Sequence, residues 1–335
     1  MPSLTTRIPR RVWLRWLRIG AVLVLGTAAV VALREQIPSP RAVAGVLERA
    51  DWRWIVAAVL IQVLSQVAFA RQQQHLLAGV AVSVRRGTAL AIAYARSAMG
   101  LVLPAGGTVS AGFAYRQFRR WGATATTATV VTVLSGVAST ATLALLSAAA
   151  FGRDATAALV DLGRDHPGTV LAVLGATIAV VVILLTTRRE RIVRLTSRWP
   201  RVATVARQVR QVAVDARGIG GRRWAAALAW SAASWLLDAA CLFAAVRAVD
   251  LDASWQHVVV AYLAVQVARQ LPTTPGGIGL VEAGLLTALA TTGTTLAAAA
   301  AALCYRFVSF WLVLPVGLAG YLRLRRPPAS PPATT

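Results

Sequence analysis

Five ionisable residues stand inside otherwise apolar stretches of this chain: Arg96, Asp238, Arg269, Glu282 and Arg306. A charge at hydrocarbon depth costs at least ~2.5 kcal/mol on insertion scales, so each must face protein or water and meet a partner. Arginine's planar fork suits phosphate, and Arg96 and Arg269 are the pair that would hold one. Glu282 would then orient an arginine or exchange a proton. It follows Arg269 by thirteen positions across the broken stretch LPTTPGGIGLVEAG, which allows the two to meet. The plainer alternative is a buried Arg–Glu pair that only locks broken helices. Arg306 stands ten positions into the apolar run from Leu296. Its expected partner is Asp238 or Glu282, and a structural interhelical pair is its simpler role. Asp238, among apolar and small neighbours, reads as structural unless it lines a cavity.

Two apolar regions carry these groups and are interrupted near their middles: Thr88–Tyr115 by LPAGG at Leu103–Gly107, and Val258–Thr292 by TPGGIG at Thr274–Gly279. Helix-breaking backbone at bilayer depth persists only where protein or a watery cavity satisfies its N–H and C=O groups. Pro104, Gly106, Gly107, Pro275, Gly276, Gly277 and Gly279 therefore join the candidate binding site. The glycines would expose backbone N–H groups at a half-helix start, a setting that favours anions. Gly106-Gly107 and Gly276-Gly277 lie 170 positions apart, and each pair follows an arginine in an apolar helix. That arrangement points to an inverted repeat around a midplane site. The alternative is that glycine and proline are simply frequent in membrane helices.

The elements that must position these residues are membrane spans. Apolar residues make up 57% of the chain and charged residues 14%, with uncharged runs near the ~20 residues a spanning helix needs. Spans are expected at Trp16–Leu33, Trp54–Ala70, Ala123–Ala150, Gly168–Thr187, Trp224–Val246 and Leu296–Leu322. Gln62, Ser65 and Gln66 form a polar strip on the second, for interhelical hydrogen bonds or a headgroup pathway. The expected fold is all-α: a polytopic membrane helix bundle with two Pro/Gly-broken, re-entrant segments. It divides into a basic N-terminus (1–18), a transmembrane domain (19–322) and a disordered tail (323–335).

The net charge of +23 does not indicate nucleic acid, because all 35 basic residues are arginine and most cluster in blocks that alternate with acidic or balanced segments. By the positive-inside rule the blocks are cytoplasmic and both termini lie inside the cytoplasmic membrane. One block, Arg188–Arg223, carries a valine stripe and reads as an amphipathic helix in the headgroup layer or as a solvated connector. Arg7–Arg18 followed by Ile19–Leu33 imitates a secretory signal, but an uncleaved first helix is simpler. Cys241 and Cys304 read as buried hydrophobes, and the scattered His75, His166 and His257 offer no metal site. No cofactor is expected. The glycines at 276–279 lack the strand and the Gly-Lys-Ser/Thr of a nucleotide loop. Asp250 and Asp252 are the only acidic pair suited to a transferase, too little to expect an enzyme.

LPAGG at Leu103–Gly107 followed by Tyr115-Arg116, PGGIGLVEAG at Pro275–Gly284, and Tyr305-Arg306 in the final span together resemble the flippase-like membrane domain of lysylphosphatidylglycerol synthases. The resemblance extends from about Gly20 to Tyr321. Some relatives carry a more acidic or lysine-bearing first break. In full-length synthases this domain is thought to move aminoacylated phosphatidylglycerol between leaflets while a soluble domain makes it. The chain ends at Thr335 with no room for that soluble domain, so the resemblance implies lipid handling without synthesis. Pro275, Gly276, Gly277, Gly279, Glu282 and Arg306 carry over as its motif residues. The function expected is translocation or handling of a polar or anionic lipid, an anionic phospholipid or a polyprenyl-linked one. The alternative is a non-transporting subunit that presents lipid to a lipid-modifying enzyme or glycosyltransferase.

Overall fold

The computed structural model describes residues 40–103, 106–152, 218–270, 277 and 279–325, all helix, turn or coil with no strand among them. A short helix α1 (Pro40–Glu48) precedes α2 (Trp52–Gly79), α3 (Arg86–Val102), α4 (Gly106–Arg120) and α5 (Ala125–Phe151). Then come α6 (Gly221–Ala248), α7 (Trp255–Ala268), α8 (Leu280–Leu289), α9 (Thr295–Arg306), a π-helical turn at Phe307–Trp311, and α10 (Val313–Arg325). Four helical stretches are long and apolar enough to cross a membrane: α2, α5, α6 and the continuous run Thr295–Arg325. At ~1.5 Å per residue even the shortest exceeds a ~30 Å hydrocarbon core. The protein is a multi-pass membrane protein. The spans expected at Trp16–Leu33 and Gly168–Thr187, and most of the basic block 188–223, lie outside the described residues.

Local chemistry sets the helix starts. Asp51 caps α2 by accepting the Arg53 N–H at 2.9 Å. Thr124, Ser254 and Thr294 do the same for α5, α7 and α9, each accepting the N–H three residues on. The π turn also has a sequence cause. Pro315 has no N–H for the carbonyl four residues back, and the helix widens just before it, with Leu312 N–H bonded to Phe307 C=O at 3.0 Å.

Two apolar cores occupy opposite ends of the long helices. One joins Ala58 of α2, Leu143 of α5 and Leu242 and Val246 of α6 to Tyr262, Leu285, Leu289 and Ala300 of α7, α8 and α9. The other joins Leu76 and Leu77 of α2, Val130 and Leu134 of α5 and Ala227 of α6 to Ile92, Phe113 and Phe118 of α3 and α4. Since α2 runs from the first core to the second and α6 runs back, the two are antiparallel; they pack along much of their length. Each broken region is a helical hairpin seated in a different core: α3–α4 in one, α7–α8 in the other.

The last helix ties the hairpins together. Its α9 half packs on α8 and α6, while its α10 half packs on α3. On that second seam a Cβ at Gly317 would stand 2.4 Å from the Ala98 Cβ, and one at Gly320 2.9 Å from the Ala91 carbonyl, so only glycine permits this approach. Exposed Leu60, Leu64, Leu145, Leu318 and Leu322 form the outer apolar surface, with exposed Trp52, Trp54 and Trp255 at the α7–α8 end. That is where interfacial indoles settle.

Candidate functional site

Between the two cores the long helices turn polar, and a cavity of about 410 Å³ opens there. From α2 it receives Gln62, Ser65, Gln66 and Phe69, spaced so that they share one helix face. The first hairpin adds Arg96, Ser97, Gly100, Gly107 and Ser110, and α6 adds Ser234, Trp235 and Asp238. From α7, Gln266, Arg269 and Gln270 reach it, and from the last helix Tyr305, Arg306 and Ser309. Both hairpins thus face one cavity with the residues next to their breaks.

Much of the wall is held by reciprocal hydrogen bonds. Ser65 Oγ donates to the Ser234 carbonyl at 3.0 Å and Ser234 Oγ donates to the Ser65 carbonyl at 3.2 Å, clamping α2 to α6. Ser97 Oγ donates to Gln66 Oε1 at 3.0 Å, tying α3 to α2. Trp235 Nε1 donates to the Ser139 carbonyl at 3.1 Å and fixes α5.

Asp238 is the wall's only carboxylate among the described residues. Its Oδ2 accepts from Tyr262 at 2.6 Å, from Tyr305 at 3.1 Å and from Gln266 Nε2 at 3.4 Å, so α7 and α9 both converge on α6. Arg269 lies within electrostatic reach of Asp238 and donates to Gln266 Oε1 at 3.3 Å. The Gln62 amide also reaches the carboxylate from α2, and Asp238 Oδ1 is buried and makes no close hydrogen bond among the described residues. Asp238 lines the cavity wall, so the reading of it as purely structural is incomplete.

Arg306 pairs with Glu282, Nε to Oε1 at 2.7 Å, and lies over the Phe310 ring at 4.6 Å. The other Glu282 oxygen accepts the Gly279 N–H at 2.8 Å. One carboxylate thus joins the last helix to the start of α8. Two sequence expectations change here. Glu282 meets Arg306 rather than Arg269, because α8 packs against α9 immediately before the π turn. The first N–H of the α8 turn goes to the protein's own Glu282 rather than standing open to an anion.

Arg96 differs from every other charged group of the wall. It is 8% exposed, stacks over Phe69 at 5.2 Å, and neither Nε nor Nη1 has a hydrogen-bond partner among the described residues. Gly106 sits against the carbonyl of Gly100, where a Cβ would come within 2.5 Å, so it permits the tight start of α4. Gly277 and Gly279 both have positive φ, 68° and 84°, and Gly277 packs on the Arg269 stem. Pro104, Pro275 and Gly276 lie outside the described residues.

The family model described as the lysylphosphatidylglycerol synthase TM region matches residues 16–317. The chain belongs to that family. No curated protein matches it. Every residue lining the cavity falls within the span of the lysylphosphatidylglycerol synthase TM region. Three positions of the motif, Gly279, Glu282 and Arg306, are physically joined by the contacts above, and Tyr305 beside them holds Asp238. Tyr115-Arg116 is elsewhere: Tyr115 packs in the α3–α4 core and Arg116 is exposed.

Tyr262, Gln266, Ser97 and Ser234 were not singled out from sequence. Tyr262, Gln266 and Arg269 are spaced by four and three on an otherwise apolar helix, which is a legible polar stripe. Single serines on α3 and α6 carry no such signal.

Proposed function

We propose that this chain carries the headgroup of a polar or anionic membrane lipid across the bilayer, unchanged chemically, while the acyl chains stay in the hydrocarbon. The observation that carries this reading is Arg96: a guanidinium nine-tenths buried, on the wall of a polar cavity at mid-length of the spanning helices, with Nε and Nη1 unpaired among the described residues. A buried cation without a partner is costly, and an anionic headgroup would satisfy it. Membership of a membrane family named for a lipid synthase agrees with a lipid as the ligand.

In this reading the two hairpins are re-entrant segments of an inverted repeat, dipping from opposite faces, and their breaks are where alternating exposure occurs. The arginine-rich blocks then face the cytoplasm and both termini lie inside the cytoplasmic membrane. Outward passage of an anionic headgroup across an inside-negative membrane gains up to ~2.3 kcal/mol per charge per 100 mV. The test is reconstitution of the purified chain in vesicles with headgroup-accessible fluorescent lipids. Accelerated loss of outer-leaflet asymmetry is the expected result. Lipid binding without any acceleration would favour a subunit that presents lipid to an enzyme.

A further inference from the structure

A second cavity, of about 620 Å³, opens at the α7–α8 end of the bundle, where α1, the start of α2, the end of α6 and the start of α9 meet. Its size suits a small ligand or a headgroup. Arg49 just past α1, Asp51 and Trp54 of α2, Arg247 and Asp250 at the end of α6, and Leu296 of α9 line it. It shares no residue with the cavity that holds Arg96. Trp54 is one of the exposed indoles of this end, which places the pocket at the level of the lipid headgroups.

The four charged residues are all exposed, so a ligand reaches them without displacing protein. Among the described residues the only ion pair is Arg306–Glu282, so none of the four is neutralised by direct contact with another. Two carboxylates and two guanidinium groups therefore surround one space. The backbone holds the acidic side of it. Asp51 N–H donates to the Ala248 carbonyl at 2.8 Å, which sets the start of α2 against the turn that carries Asp250. That turn closes α6 with Leu251 N–H on the Val246 carbonyl and Asp250 N–H on the Arg247 carbonyl, both at 3.2 Å, and leaves Asp250 at φ 54°. Glycine or asparagine takes this left-handed position most easily, and here it carries a carboxylate.

A ligand that is only an anion has a better surface at the other end of the molecule. There Arg85, Arg86, Arg119, Arg120, Arg323 and Arg325 are exposed, and no carboxylate of the described residues lies at that end. The pocket differs in being balanced, so it suits a ligand that carries both signs. Guanidinium forks fit phosphoryl oxygens, and carboxylates, which only accept, fit an ammonium that donates. We propose that this pocket binds the headgroup of a zwitterionic phospholipid with a primary ammonium, the phosphoryl oxygens on Arg49 and Arg247 and the ammonium between Asp51 and Asp250. The site is separate from the lipid-carrying cavity and stands whether or not that cavity transfers lipid.

The experiment measures binding to the purified full-length chain by native mass spectrometry and by ligand-dependent shift of the melting midpoint. The probes are phosphatidylethanolamine, phosphatidylcholine, phosphatidylglycerol and the soluble glycerophosphoethanolamine. Each is compared between the parent chain, Asp250→Asn, whose asparagine keeps the left-handed turn, and the double variant Arg49→Gln/Arg247→Gln. Binding lost in the variants is binding at this pocket. Phosphatidylethanolamine is expected to weaken about fivefold in Asp250→Asn and about tenfold in the double variant, while phosphatidylglycerol holds in Asp250→Asn. Phosphatidylcholine, which has no N–H to donate, should bind the parent chain more weakly than phosphatidylethanolamine.

Unchanged phosphatidylethanolamine binding in both folded variants would overturn the proposal. So would an equal loss of phosphatidylglycerol in Asp250→Asn, which would make the effect one of general surface charge. Phosphatidylcholine binding as tightly as phosphatidylethanolamine would overturn the primary ammonium, and glycerophosphoethanolamine binding as tightly as the lipid would overturn the membrane as its source.

Discussion

The α3–α4 and α7–α8 hairpins face the same cavity, yet their charged residues are treated in opposite ways. At α7–α8, Glu282 is bonded to Arg306 and to the Gly279 N–H, and Arg269 to Gln266. At α3–α4, Arg96 stacks on the Phe69 ring, and its Nε and Nη1 have no hydrogen-bond partner among the described residues. Similar sequence features, an arginine followed by a proline–glycine break, therefore serve different ends. One hairpin is tied to the last helix by an ion pair, and in the reading proposed above the other keeps its cation for a ligand.

Replacing Arg96 sharpens this contrast most. Arg96→Gln should slow lipid transfer in vesicles by about 10–100-fold, the equivalent of one charged hydrogen bond. The melting midpoint should hold or rise, because an unpaired buried charge has been removed. A fall in stability matching the loss of transfer would make Arg96 a structural residue and erase the difference between the hairpins. On the other side, Arg306→Gln should lower stability by about 2 kcal/mol, since Glu282 is left with the Gly279 N–H alone. Denaturation in detergent checks this, together with faster proteolysis near the second break. If stability is untouched while anionic lipid no longer binds, the roles of the two arginines are the reverse of those assigned here. Smallest of the three, Gly317→Ala should cost about 1–2 kcal/mol by forcing α10 off α3. Its transfer rate, compared at equal folded fraction, reports whether the first hairpin must be held this closely to work.

The four described spans were legible because uncharged length is a strong signal in a membrane chain. The breaks were legible from proline and glycine, and one of the two partners foreseen for Arg306 is the one it has. Helix ends were harder. The span expected to stop at Ala70 continues to Gly79 through Arg71-Gln72-Gln73-Gln74-His75. That run looks like a boundary, but Gln72 and Gln73 are 0% and 2% exposed and turn inward, with Gln72 Nε2 bonded to the Ser135 carbonyl at 3.1 Å. Polarity at a sequence position does not say which way the side chain faces. Asp238 escaped for the same reason: its meaning depends on Tyr262 and Tyr305, which lie 24 and 67 positions away. The extra residue in the last helix was written in Pro315 but is recognisable only beside the widened turn it causes.

That widened turn sets the register between the two halves of the last helix. It shifts the helix by one residue between the half that pairs with Glu282 and the half that nests on α3. Were it to tighten to ordinary winding, everything beyond Trp311 would rotate by ~100° relative to what precedes it. Gly317 and Gly320 would swing away from Ala98 and Ala91, and bulkier neighbours would meet the first hairpin instead. The seating of one hairpin and the winding of the strut leading to the other are therefore a single variable, and neither can change alone.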